Sequence, residues 1–176
     1  MTSPSVAGLP LAVSVGEPSG IGPDLVLTCH RDRALFNLAP FFTVADVDML
    51  QSRAARLGID ISIAAIDRPE DAVAVFPAAL PVLPLENRHE DAPGATNPAN
   101  AAGTIESIER ATRYALEGRA AALVTAPIEK KALYDAGFDH PGHTEFLAAL
   151  CQRHSGHSVQ PVMLLTGPEL SSVPVT

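Results

Sequence analysis

A short apolar run, a glycine turn and a helix with orthodox end signals open the chain, and that unit constrains the fold more than any other feature. Leu11 to Val15 is apolar and stops at Gly16, as a buried strand does. The turn GEPSGIG follows. Pro23 suits the first position of a helix and Asp24 complements the dipole of its first turn, so helix is predicted from Pro23 to about Arg31. The unit then recurs: Phe41 to Ala45 reads as strand, Asp46 as an N-cap, and the stretch to Leu57 as helix with Gly58 at its stop. Strands alternating with helices pair in parallel and need cover on both faces. The predicted class is α/β, a parallel or mixed sheet with helices on both faces.

Further along, Ile59 to Ile66 alternates as a strand. Prolines crowd the stretch from Arg68 to Pro98, which predicts a connection, a short strand around Pro81 to Leu85 and a domain junction within 68–98. Asn97 to Glu117 carries apolar residues at helical spacing and ends at Gly118, and Ala121 to Thr125 is an apolar strand. Ile128 to Ala136 and Thr144 to about His154 read as helices, and Pro161 to Leu165 and Val173 to Val175 as strands. The chain shows no internal repeat.

Length and charge limit what such a sheet is for. The 176 residues suit one sizeable domain or part of a two-domain enzyme, and 47% hydrophobic against 18% charged residues indicates a packed core. A formal charge of −8 argues against a nucleic-acid binder, which needs a basic stripe, but leaves room for an anionic small molecule held by a few local donors. Cys29 and Cys151 lie far apart with no CxxC spacing and read as reduced thiols of a cytoplasmic protein. The start, MTSPSVAGLPLAVSV, has no basic n-region and reads as no signal peptide. No apolar run approaches the roughly 18 residues of a spanning helix, so no membrane partner is expected.

Three segments carry candidate chemistry. In GEPSGIGPD, closely spaced glycines let backbone N–H groups approach a ligand at a helix N-terminus, which makes Gly20 and Gly22 candidates for anion binding. The same spacing also serves a tight strand-to-helix turn. In LVTAPIEKKAL a strand delivers its carboxyl end to the surface, where parallel sheets place ligands, and Lys130 is positioned to meet a phosphate or carboxylate as a point charge. Pro141-Gly142-His143-Thr144-Glu145-Phe146 puts an imidazole, a hydroxyl and a carboxylate at the start of a helix; an N-cap with an incidental histidine is the plainer reading. His154 and His157 stand three apart, but Gly156 breaks their helix and no third ligand is near. No GxSxG or HExxH motif supports a hydrolase.

Taken in order, GEPSGIGPD, LVTAPIEK and GHTEF make the chain resemble the 4-hydroxythreonine-4-phosphate dehydrogenase family of pyridoxal phosphate biosynthesis, from about Leu11 to Thr176. The resemblance implies an isocitrate/isopropylmalate dehydrogenase-like fold of two α/β domains, truncated here to its N-terminal portion, and a homodimer with active sites built from both subunits. It also implies oxidation of 4-phosphohydroxy-L-threonine with NAD or NADP, followed by decarboxylation. Carried across by position, His143 and Thr144 are the substrate-binding pair. The family holds a divalent metal (Zn, Mg or Co) with three histidines beyond GHTEF, so the resemblance places no metal ligand and no assigned catalytic residue in these 176 residues, and the fragment alone is expected to be inactive. Three alternatives stand beside this reading: a related dehydrogenase for another phosphorylated hydroxy acid or a dihydrodiol, a non-catalytic anion-binding module, and a structural protein on the same half-fold.

Overall fold

The computed structural model describes residues 8–135 and 137–174. Two compact units divide the chain, one up to Asp139 and one from His140 onward. The first is built on a five-stranded parallel sheet of β1 (Leu11–Ser14), β2 (Phe41–Ala45), β3 (Ile63–Ala65), β4 (Leu80–Pro84) and β5 (Leu123–Thr125), in the order β3-β4-β2-β1-β5. Its helices are α1 (Gly22–Arg31), α2 (Val47–Leu57), the short α3 (Ala72–Val75), α4 (Ala101–Leu116) and α5 (Lys130–Asp135).

Period-two alternation along the inner strands sorts side chains onto two faces. Phe41 and Ala45 of β2 join Leu80 and Val82 of β4 in a core with Val26 and Leu27 of α1 and Met49, Leu50 and Ala54 of α2. Phe42 and Val44 point the other way, with Leu83, onto Ala111 and Tyr114 of α4. The expected cover on both faces is therefore present. Polar bonds fix α4 to the strands as well. The buried Ser107 hydroxyl accepts from the Val15 N–H at 3.1 Å and donates to the Val44 carbonyl at 2.6 Å, joining the carboxyl ends of β1 and β2 to one helix.

Several boundaries differ from expectation. Of Ile59–Ile66 only Ile63–Ala65 forms strand, at the sheet edge, with the flanking Ser62 and Ile66 bonded to Leu80 and Val82 of β4. The proline-dense stretch 68–98 lies inside the first compact unit, and its β4 pairs with both β2 and β3. Within 161–165 only Leu165 enters a strand, as the two-residue β6 (Leu165–Thr166) antiparallel to β7 (Ser171–Ser172). Val173 lies outside the ladder, and Val175 lies outside the described residues. The second unit otherwise holds α6 (His143–Ser155), which stops at the left-handed Gly156. Both cysteines are free thiols.

Two buried histidines, His30 and His89, are part of the packed structure. His30 is buried on α1 with Nε2 3.0 Å from the Phe76 carbonyl. His89, in the connection from β4 to α4, is buried against Gly103, where an added Cβ would come within 2.6 Å of its ring. Burial drives His89 down from an ordinary 6.5 to about 4, against the pull of the nearby Asp46 carboxylate. Between those values the unfolded chain binds a proton that the folded chain excludes, so stability falls as pH drops from about 6.5 to about 4. His30, also lowered by burial, adds in the same direction. Urea midpoints at pH 7 and pH 5 should show a smaller acid loss in His89→Gln than in the parent chain, and an equal loss would refute this assignment.

Candidate functional site

Strand order reverses about β1: the chain steps from β1 to β2 on one side and later enters β5 on the other. In open parallel sheets the crevice at such a reversal, outside the carboxyl ends of the strands, is where ligands bind. The loops after β1 and β5 meet there and enclose a cleft of about 400 Å³, bordered by Glu17, Ser19 and Gly20 from the first loop, Pro127 and Glu129 from the second, and Thr96 from the connection before α4.

Close approach of the two loops explains the glycine spacing. Gly16 has φ +76, and a Cβ there would run into the Pro127 carbonyl; one at Gly22 would run into the Val15 carbonyl. Loop donors are largely spent within the loops. The Glu17 N–H donates to the Pro127 carbonyl at 3.1 Å, the Gly20 N–H to the Glu17 carbonyl at 3.0 Å, and the Gly94 N–H to the Ser19 carbonyl at 2.8 Å. Glu17, 2% exposed, accepts from both the N–H and the hydroxyl of Ser19 through Oε2.

Behind the first loop stands a buried arginine. Arg53 of α2 is 1% exposed, and its guanidinium donates to the carbonyls of Pro18 and Gly20, to Asp24 of α1, and to Asp91 with Nε at 2.6 Å. One side chain thus clamps the loop, the helix it starts and the connection that supplies Thr96. Asp91 also meets Ser52 and Arg56. Burial alone would raise the Asp91 carboxyl, but its bonds to Arg53, Arg56 and Ser52 outweigh this and hold it below the ordinary aspartate value.

The residues singled out in the sequence fall in both units. Gly20 is exposed on the lip of the cleft, Gly22 is buried at the start of α1, and Lys130 is exposed at the start of α5. His143 and Thr144 are the first two residues of α6 in the second unit, both half-buried, following the buried Gly142. His154 and His157 are exposed, and among the described residues no three His, Cys, Asp or Glu side chains cluster as metal ligands. No helix among them is long and apolar enough to cross a membrane. Sequence reasoning passed over Arg53, Asp91 and Glu17. The available signal was the position of Arg53: with Met49, Leu50 and Ala54 it occupies the buried face of α2, where a cation needs partners.

A family model described as pyridoxal phosphate biosynthetic protein PdxA matches residues 37–176. The chain belongs to this family. It is 46% identical over 169 residues to a 4-hydroxythreonine-4-phosphate dehydrogenase of Methylorubrum populi, an alignment covering 95% of this chain and 48% of the relative. A second, from Methylorubrum extorquens, is 44% identical with the same coverage. Among solved structures, the 4-hydroxythreonine-4-phosphate dehydrogenase of Klebsiella pneumoniae superposes with a TM-score of 0.77 at 30% identity, covering 94% of this chain and 50% of that one. The chain spans about half the length of the PdxA relatives it matches, and its α/β fold is theirs.

The clamp gives this site its first test. Removing one partner of a buried ion pair strands the other charge, so Arg53→Met should cost about 3–5 kcal/mol of stability by urea denaturation. It should also raise amide hydrogen exchange through residues 17–24 and 91–96 more than in β2. A stability change under 1 kcal/mol, roughly the effect of a surface pair, would show that the clamp does not hold the loop.

Proposed function

We propose that this chain forms the first half of an enzyme that oxidises 4-phosphohydroxy-L-threonine with NAD or NADP, with loss of its carboxylate as carbon dioxide, in vitamin B6 biosynthesis. The observation that carries the reading is the PdxA match over residues 37–176, which includes the GHTEF segment, together with the names of the curated relatives. In this reading the protein is a cytoplasmic homodimer. The first turn of α6 is favourable for an anion because the positive end of the helix dipole lies there, and His143 and Thr144 add side-chain donors for the phosphorylated substrate. Lys130 contributes a point charge, Gly20 leaves the lip of the cleft open, and Gly22 brings the start of α1 against the sheet end.

A divalent metal would polarise the reacting hydroxyl. The described residues offer no three-ligand cluster for it, so no step here is assigned through the ion. The resemblance puts the family's metal ligands beyond GHTEF, and on that ground the 176-residue polypeptide by itself is expected to give no turnover.

The experiment is NADH or NADPH formation from 4-phosphohydroxy-L-threonine, with zinc or magnesium, by the polypeptide read through its full reading frame. His143→Ala should then lower kcat/KM about 10- to 150-fold, the loss of one hydrogen bond to a charged group, roughly 1.5–3 kcal/mol. Unchanged kinetics would return His143 to the role of a helix-start residue, and absent turnover in the whole protein would reject the activity.

A further inference from the structure

We infer that Glu17 makes the cleft between the loops after β1 and β5 an acceptor site, which takes a hydroxyl or ammonium group of a ligand rather than its phosphate. Glu17 borders the cleft at 2% exposure. Its Oε2 is committed to Ser19, and its Oε1, buried, has no hydrogen-bond partner among the described residues. A buried carboxyl oxygen without a donor is costly, so its retention at a ligand crevice calls for a donor brought from outside.

The rest of the cleft agrees in sign. Glu129 places a second acidic side chain on the opposite wall, and the Ser19, Gly20 and Gly94 N–H groups are already occupied within the loops. Arg53, the nearest buried cation, spends its donors on Pro18, Gly20, Asp24 and Asp91. Lys130 is not among the residues that border the cleft. A phosphate entering here would meet two acidic side chains, whereas an alcohol or ammonium would complete Glu17.

Two ligands of the proposed reaction carry such donors: the substrate through its ammonium and hydroxyls, the nicotinamide cofactor through its ribose hydroxyls and amides. The inference rests on the proposed function only for this choice of probes. The test titrates the 15N-labelled 176-residue chain with 4-phosphohydroxy-L-threonine, with NAD and with inorganic phosphate, following the amides of Ser19, Gly20 and Thr96. One of the two donor-bearing probes should shift these amides and phosphate should not; which probe does so identifies the source of the donor.

Glu17→Gln replaces the free acceptor by an amide donor while keeping an oxygen for Ser19, and should weaken that binding about ten-fold or more. Should this variant fail to fold, the 13Cδ resonance of Glu17 in the unaltered chain serves instead, and it should move with the bound probe. Phosphate binding at the same amides, undiminished affinity in Glu17→Gln, an unmoved 13Cδ signal or silence from both donor-bearing probes would each overturn the inference. A whole protein without dehydrogenase turnover but with Glu17-dependent binding would remove the proposed activity and leave the acceptor site standing.

Discussion

The structure around the cleft depends on one buried charge. Arg53 reaches three segments that ordinary packing would leave independent: the loop after β1, the first turn of α1 and the connection from β4 to α4. A guanidinium suits this task because its five N–H donors are fixed in a plane and can serve several acceptors at once, and because it does not deprotonate to escape burial. A buried ion pair adds little net stability against a well-packed apolar alternative, so what Arg53 contributes is a single arrangement of the loops. Carbonyls that would otherwise face an apolar helix are given donors, and the cleft acquires a fixed rim.

That rim is placed by the sheet. β1 lies between β2 and β5, and the reversal of strand order about it leaves the carboxyl ends of β1 and β5 side by side. Ser107 ties the first of these ends to α4 and to β2. The glycines then let the two loops touch through their backbones. Sheet order supplies the place, hydrogen bonds the alignment, and small residues the proximity.

Most of this framework was legible in the sequence. β1, β2 and β5 and the helices α1, α2 and α4 announce themselves through apolar period, Asp46 and Pro23 at their starts and Gly58 and Gly118 at their stops, all local signals. β4 was readable despite Pro81 and Pro84, since its apolar run outweighed them. The four-residue α3 was not, and Ile59–Ile66 was overextended because alternation does not say how much of an edge strand finds a ladder partner. The glycine loop beside the cleft and, in the second unit, the start of α6 were visible as motifs. Arg53 and Asp91 were not, because pairing between residues 38 apart is a property of the folded chain and a pattern search counts both as surface charge. Glu17 sat inside a quoted motif, yet nothing local distinguishes a buried carboxyl from a solvated one.

The two glycines at the sheet end also bear on how this protein tolerates inherited change. Any missense change of a glycine codon adds at least a Cβ, and at Gly16 and Gly22 that atom meets backbone carbonyls, which cannot swing aside as a flexible side chain would. Gly118 and Gly156, left-handed as Gly16 is, have open space where a Cβ would go and ask only that the turn bear some strain. Variation in a population should therefore be filtered unevenly across glycines that look alike in the sequence. Alanine, ordinarily the mildest replacement, offers no safe exit at either of the two positions beneath the cleft.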